Sequence, residues 1–229
     1  MKTNHPTCDD ICRKVREKTD TVCLSFSNGK DSLAAWLILR RHFKRIVPVY
    51  RYLCPDLEFI ERSLTYYEKF FGTHIHRVPS AYFWRCLNFR FCMTPEQAFA
   101  LEAWDFRPVT ALDACKDVLE DEGLPADTMI AYGWRYTDNL GRQRTLLKNG
   151  GIDKDGQVFY PAAFLTNTGL MDLLKETGCK LPVDYQLWGR SFDCCRWWFM
   201  PALREHFPRD YARILEWFPL VAMEERRWA

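Results

Sequence analysis

Short apolar runs alternate with amphipathic segments from Thr21 to Trp134, and this alternation does most to limit the folds open to the chain. TVCLSF (21–26) reads as a buried strand, and SLAAWLILRRHFKR (32–45) as a helix with Leu33, Trp36 and Leu37 on one face. RIVPVYRYL (45–53) is a second strand, LEFIERSLTYYEKFF (57–71) a second helix and HIHRV (74–78) a short third strand. PVTALDACKDVLEDEG (108–123) is a helix stopped at glycine, and TMIAYGW (128–134) a fourth strand. Strand–helix alternation of this kind predicts an α/β fold: a mostly parallel, twisted, Rossmann-like sheet with helices on both faces. After residue 150 the texture changes. GGIDKDGQVFYP (150–161) predicts a hairpin or loop, NTGLMDLLKETG (167–178) a helix, and 202–218 a helical region. The expected organisation is a nucleotide-binding core over 1–150 and an α-rich extension over 151–229 packed on it.

At 229 residues, 48% hydrophobic and 15% aromatic, the chain can fill a sizeable core. A net charge of +2 is too small to argue nucleic-acid binding from composition. No run approaches a membrane span, and the first twenty residues contain no apolar leader. The ten cysteines are therefore expected as reduced thiols in a cytoplasmic protein without membrane attachment.

The first strand runs into Ser27-Asn28-Gly29-Lys30-Asp31-Ser32, directly before a helix. In a parallel sheet, ligands sit at the carboxyl ends of strands, where free amides and the helix dipole favour an anion. Gly29 allows close backbone approach, Lys30 adds charge, and Ser27 and Ser32 add hydroxyls. The plainer account of the string is a turn with Asp31 or Ser32 capping the helix. It is not the Walker pattern, which spaces its glycines differently.

The string resembles the S-G-G-K-D-S pyrophosphate loop of the adenine nucleotide alpha hydrolase superfamily, with Asn28 in place of the first glycine. Asparagine also tolerates positive φ. Gly133-Trp134-Arg135-Tyr136-Thr137-Asp138-Asn139-Leu140-Gly141-Arg142 is similar to the G-x-R-x-x-[DE]-S-x-x-R of the phosphoadenosine phosphosulfate (PAPS) reductase branch, with Asn139 for serine. Where that branch has Asp-Thr-Gly after the second strand, this chain has Cys54-Pro55-Asp56. The resemblance implies an adenine nucleotide, ATP or PAPS, held by Ser25, Ser27, Asn28, Gly29, Lys30, Asp31, Ser32, Gly133, Arg135 and Arg142. Lys30, Asp31 and Arg135 would take the catalytic roles, and Mg2+ would bridge the phosphates with Asp31 as a ligand. Arginines at this spacing can clamp phosphate through both prongs of the guanidinium, or can simply be solvated at a strand end.

Sulfonucleotide reductases of that family use a cysteine in Glu-Cys-Gly-Leu-His near the C-terminus. The last 34 residues here contain no cysteine, so PAPS reduction is the secondary expectation. The primary one is the superfamily's shared chemistry, in which ATP adenylates a substrate with pyrophosphate release, in some members for sulfur transfer. That implies a nucleic-acid or protein sulfur-donor partner, and a homodimer. A non-catalytic nucleotide-binding regulator is the third reading, suggested by Asn28, Cys54-Pro55-Asp56 and Asn139.

Cys92, in a segment resembling the family's Arg-Trp-Cys-Thr, together with Cys179, Cys194 and Cys195, forms a candidate iron–sulfur set, with Cys86 nearby in sequence. No C-x-x-C spacing marks them, and Cys194-Cys195 can also pack beside Trp197 and Trp198. Arg190 and Arg196 would lower a neighbouring thiol's pKa if close to it in space.

Overall fold

A computed structural model of the chain describes residues 5–107 and 109–223. Helix α1 (Cys8–Arg16) opens with a capping box: Thr7 Oγ1 accepts from Asp10 N, and the Asp10 carboxylate accepts from Thr7 N. Strand β1 (Thr21–Phe26) follows, then α2 (Lys30–Leu39), which is buried from Ser32 to Leu39. The helix expected to run to residue 45 stops at Leu39 because the chain must turn back to begin β2 (Arg45–Tyr52), whose Arg45 pairs with Thr21. Next come α3 (Glu58–Phe71) and β3 (His76–Pro79), close to their expected bounds. Helices α4 (Ala81–Asn88) and α5 (Pro95–Ala100) were not expected, although Ser80 and Thr94 cap them through their side chains. Helix α6 (Ala111–Asp121) starts three residues after Pro108, which lies outside the described residues.

Strand β4 (Ile130–Tyr132) leads to α7 (Leu140–Asn149), also unexpected, and to β5 (Val158–Phe159). The segment read as a hairpin or loop does contain an antiparallel bridge, Ile152 to Phe159. It also adds a fifth strand, because β5 pairs in parallel with β4. Helices α8 (Asn167–Thr177), α9 (Asp184–Trp188), α10 (Met200–His206) and α11 (Pro208–Trp217) follow, with a short 3-10 turn at Pro219–Val221.

The five strands form one sheet in the order β3-β2-β1-β4-β5. Strand β1 is central, parallel to β2 on one side and to β4 on the other. A strand in that position is covered on both faces, which is why TVCLSF is apolar almost throughout. The α/β reading therefore holds.

The chain divides into two compact units, but not at residue 150. The first unit takes the residues through Tyr50, Glu68–His76 and Cys115–Leu181. Residues 151–181 belong to it because β5 joins β4 and α8 packs on α2. Its core includes Trp36, stacked on Phe71 at 3.9 Å and edge-on to Phe26. The second unit takes Arg51–Tyr67, Arg77–Ala114 and the chain from Pro182 on. There the Asp210 carboxylate accepts from Glu58 N and Phe59 N at 2.6 and 3.1 Å, capping α3 from a distant stretch of sequence. The Phe59 ring packs against Trp188, Phe192 and Phe207.

Candidate active site

The loop lies at the carboxyl end of the central strand. Asn28 adopts φ +57, the left-handed region that asparagine enters more readily than most residues. Gly29 is extended and precedes the first turn of α2. Having no side chain, it cannot cap the helix, and Ser32 supplies the missing group. Its hydroxyl donates to Gly29 O at 2.9 Å and accepts from Gly29 N at 3.3 Å and Ser27 N at 3.3 Å, with Ser27 Oγ 3.1 Å away. Loop amides thus converge on one oxygen, the arrangement that binds anions in backbone nests. Ser25 is buried two residues earlier, in the body of β1.

The Asn28 side chain is the unusual element. It is 1% exposed, and neither Oδ1 nor Nδ2 has a hydrogen-bond partner. A buried amide left unpaired costs about 1–3 kcal/mol, so native structures rarely carry one without a reason.

The end of β4 reaches the same loop. A Cβ on Gly133 would stand 2.7 Å from Ser32 N, 2.8 Å from Ser32 Cα and 2.9 Å from Asp31 C, so only glycine fits. Arg135, 3% exposed, donates from Nε to Asp31 Oδ1 at 2.6 Å and from Nη1 to Leu165 O at 3.2 Å. Lys30 Nζ takes the other Asp31 oxygen at 3.3 Å. Asp138 accepts from Arg135 N at 3.0 Å and from Arg142 Nη1 at 2.7 Å. The Arg142 guanidinium lies over the Trp134 ring, 4.6 Å from its centroid. Asn139, at the serine position of the resembled pattern, caps α7 by accepting from Arg142 N at 2.9 Å.

The structure brings the loop residues and the two arginines together at the end of β1 and β4, and it gives the arginines partners within the chain: Asp31 for Arg135 and Asp138 for Arg142. Lys30, Arg135 and Arg142 against Asp31 and Asp138 leave one net positive charge in the cluster. Asp31, expected to bind Mg2+, already has an oxygen on each cation. A Mg2+ that keeps most of its ligands from water and phosphate needs only one or two carboxylates, and it would take Oδ2 from the partly exposed Lys30.

The cysteines fall into two groups. Cys54, Cys86, Cys92 and Cys194 all bear electrostatically on Cys195, and these five lie in the second unit. Cys179 lies in the first unit, with Arg40 as its charged neighbour. Among the described residues, no three histidine, cysteine or acidic side chains are placed to hold a metal ion.

Burial pushes the Cys194 thiol up to about 12, with a hydrogen bond to Asp193 Oδ1 at 3.1 Å adding to it, and raises Cys195 well above its ordinary value. The expected lowering by Arg196 is present at Cys194 but is outweighed by burial and Asp193. Arg190 binds Asp193 at 2.6 Å, and Arg196 lies over the Trp198 ring and opposes the rise only weakly. Cys54 is raised to about 12, and Cys86 and Cys179 to about 11, mainly by burial.

No protein-family model and no curated protein matches the chain. Among solved structures, it is similar to the U34-tRNA thiolase NcsA from Methanococcus maripaludis, solved with its [4Fe-4S] cluster. That likeness has 14% identity and a TM-score of 0.47, over 93% of this chain and 78% of the other. It is also similar to the NH3-dependent NAD synthetase from Campylobacter jejuni in complex with nitrate, at 14% identity and a TM-score of 0.44, over 96% of this chain and 91% of the other. At these values neither likeness bears on what this chain does.

Three side chains carry no evident role in the sequence. Asp138, at the acidic position of the motif, bonds both Arg135 N and Arg142. Trp134 supplies the aromatic face under Arg142, which only the fold reveals. Cys54, which departs from the resembled nucleotide-contact triplet, bears electrostatically on Cys195.

Proposed function

We propose that the chain is an adenine-nucleotide-dependent enzyme of the ATP pyrophosphatase type, which adenylates an acceptor and serves sulfur transfer. The observation that carries this reading is the Ser27–Ser32 loop at the carboxyl end of the central parallel strand. Its amides converge on one oxygen, and the buried Asn28 amide beside them has no partner. Phosphate oxygens would take the place of the Ser32 hydroxyl as acceptors for Ser27 N and Gly29 N, and would give Asn28 Nδ2 the acceptor it lacks. Lys30, partly exposed and paired with Asp31 at 3.3 Å, would turn its ammonium to the phosphates. Arg135 acts through Asp31, fixing the first turn of α2 against the end of β4. When bound, Mg2+ would neutralise phosphate charge beside Asp31. An acceptor oxygen forms a bond to the α-phosphorus, the bond to the β-phosphate oxygen breaks, and pyrophosphate leaves.

An iron–sulfur cluster on Cys92, Cys194 and Cys195 belongs to the same proposal, with Cys86 and Cys54 at hand in place of Cys179. Its support is that Cys54, Cys86, Cys92 and Cys194 each bear electrostatically on Cys195, although among the described residues no three side chains are placed to hold a single metal ion. Thiolate ligands of a cluster are spread more widely than those of a single ion, and binding would release the protons these buried thiols now hold. Sulfonucleotide reduction gains no support, because it needs a thiolate and burial raises the thiols of Cys8, Cys12, Cys54, Cys86, Cys179, Cys194 and Cys195.

Calorimetric titration with ATP and Mg2+ tests the reading. Lys30→Ala should weaken ATP by about 1.5–3 kcal/mol, the range for a hydrogen bond to a charged group. Unchanged affinity in that variant rules out the loop as the phosphate site, and tight binding without pyrophosphate release across sulfur-acceptor candidates would leave a binding protein in place of an enzyme.

A further inference from the structure

The second unit contains a cavity of about 780 Å³, within the range of small-molecule sites. Its walls mix aliphatic side chains such as Leu87 and Leu101 with the aromatics Trp84 on α4, Trp104 and Phe106 after α5, and Trp217 on α11. The Trp104 and Phe106 rings lie within 10° of parallel, at 6.2 Å, and Trp84 leans on Phe106 at 5.6 Å. Aromatic residues that serve only as core are covered by their neighbours, whereas Trp104 is 62% exposed.

The polar groups narrow the class of occupant. Arg213 and Glu216 both line the cavity, with Arg213 Nη1 on Glu216 Oε2 at 2.6 Å, so a hydrogen-bond donor and an acceptor stand side by side. Arg213 also binds Asp56 at 2.8 Å, and its Nε has no partner. Two carboxylates therefore compensate the one cation, and an anionic ligand would meet no uncompensated positive charge there.

We propose that this cavity binds an uncharged heteroaromatic ring of nucleobase size, as a free base or nucleoside. Indole faces stack on any such ring irrespective of its identity, and the Arg213–Glu216 pair matches an edge that carries a donor next to an acceptor. A nucleic-acid strand is disfavoured because the phosphate backbone draws its affinity from uncompensated lysines and arginines. The proposal stands apart from the nucleotide reading at Ser27–Ser32, whose residues lie in the other unit.

Adenosine, guanosine, cytidine and uridine, each titrated by saturation-transfer NMR and calorimetry, provide the test. At least one should bind, and Trp104→Ala, at an exposed position, should weaken it about fivefold or more, as loss of a base-stacking face does. Glu216→Gln should change the preference among the four. Lys30→Ala should leave nucleoside binding untouched. The proposal is overturned if no nucleoside binds, or if Trp104→Ala keeps full affinity. Loss in Lys30→Ala but not in Trp104→Ala would also overturn it, and would place the ring at the phosphate loop. A single-stranded oligonucleotide that binds far more tightly than its nucleosides, with a steep salt dependence, would overturn the choice of a free ring.

Discussion

Gly133→Ala is the sharpest test of how the end of β4 and the loop are held together. The added methyl would meet Ser32 N, Ser32 Cα and Asp31 C at 2.7–2.9 Å, all of them backbone atoms in the first turn of α2. No side chain can rotate away, and α2 is buried from Ser32 onward. Reaching an attractive contact near 3.5 Å requires a shift of about 0.8 Å. Overpacking of this kind costs about 1–3 kcal/mol, and an unyielding backbone puts the cost near the top of that range. The same shift moves the loop amides, and an error approaching 1 Å in a positioning element can cost about a hundredfold in turnover. Urea unfolding should therefore show a loss of about 2–3 kcal/mol, and ATP titration a loss of affinity. Gly141→Ala is the control, because its methyl would approach only Asn139 Oδ1, at 3.3 Å, on an exposed helical turn. Its stability should change by no more than about 0.5 kcal/mol. If Gly133→Ala is as stable as the control and binds ATP equally well, the packing of β4 on the loop is refuted.

Arg135→Lys keeps the charge but cannot reproduce the bonds to both Asp31 and Leu165 O, so it should lower stability and activity together; wild-type behaviour in both would contradict the buried pair. Asp184 is fully buried, and burial raises its carboxyl to about 6. The folded chain therefore keeps a proton that the unfolded chain loses near 3.8, and stability should fall as pH rises from about 4 to about 6, by about 3 kcal/mol from this group. Asp184→Asn should flatten that window and stabilise the protein at pH 7, as read from urea midpoints across pH; an unaltered pH profile would refute the assignment. Anaerobically prepared protein should carry iron and sulfide that a variant with both Cys194→Ser and Cys195→Ser lacks, and equal contents in the two would reduce the thiols to packing.

The central strand, the loop and the helix after it were legible because a strand covered on both faces is apolar almost throughout, and Gly29 and Lys30 stand at its exit. The same logic missed β5, since a two-residue strand carries no period and Val158–Phe159 sits among turn residues. Helices α4 and α5 were missed because both are short, and the exposed Phe89 and Phe91 between them and Phe99 within α5 blur any apolar face. The division near 150 failed for a different reason. Composition marks where the texture of a chain changes, whereas compactness depends on long-range bonds such as Asp210 to the amides opening α3. Partners across the fold were equally invisible: nothing in sequence links Asp31 to Arg135, 104 positions away.

Both asparagines that depart from the resembled motifs occupy backbone roles that asparagine performs well. Asn139 replaces a serine as an N-cap, and the two residues are nearly equivalent there, so this departure leaves the geometry intact. Asn28 replaces a glycine at positive φ, which asparagine tolerates, but it brings an amide that the chain does not satisfy. The first exchange is neutral and the second carries a cost, so only the second bears on the site's chemistry. A loop serving solely as a helix cap would gain stability from glycine at position 28, because the unpaired amide would vanish without loss of the turn. A loop built around an anion would lose a donor by the same change. Stability and ATP affinity should therefore move in opposite directions in Asn28→Gly, and that opposition separates a phosphate seat from a turn.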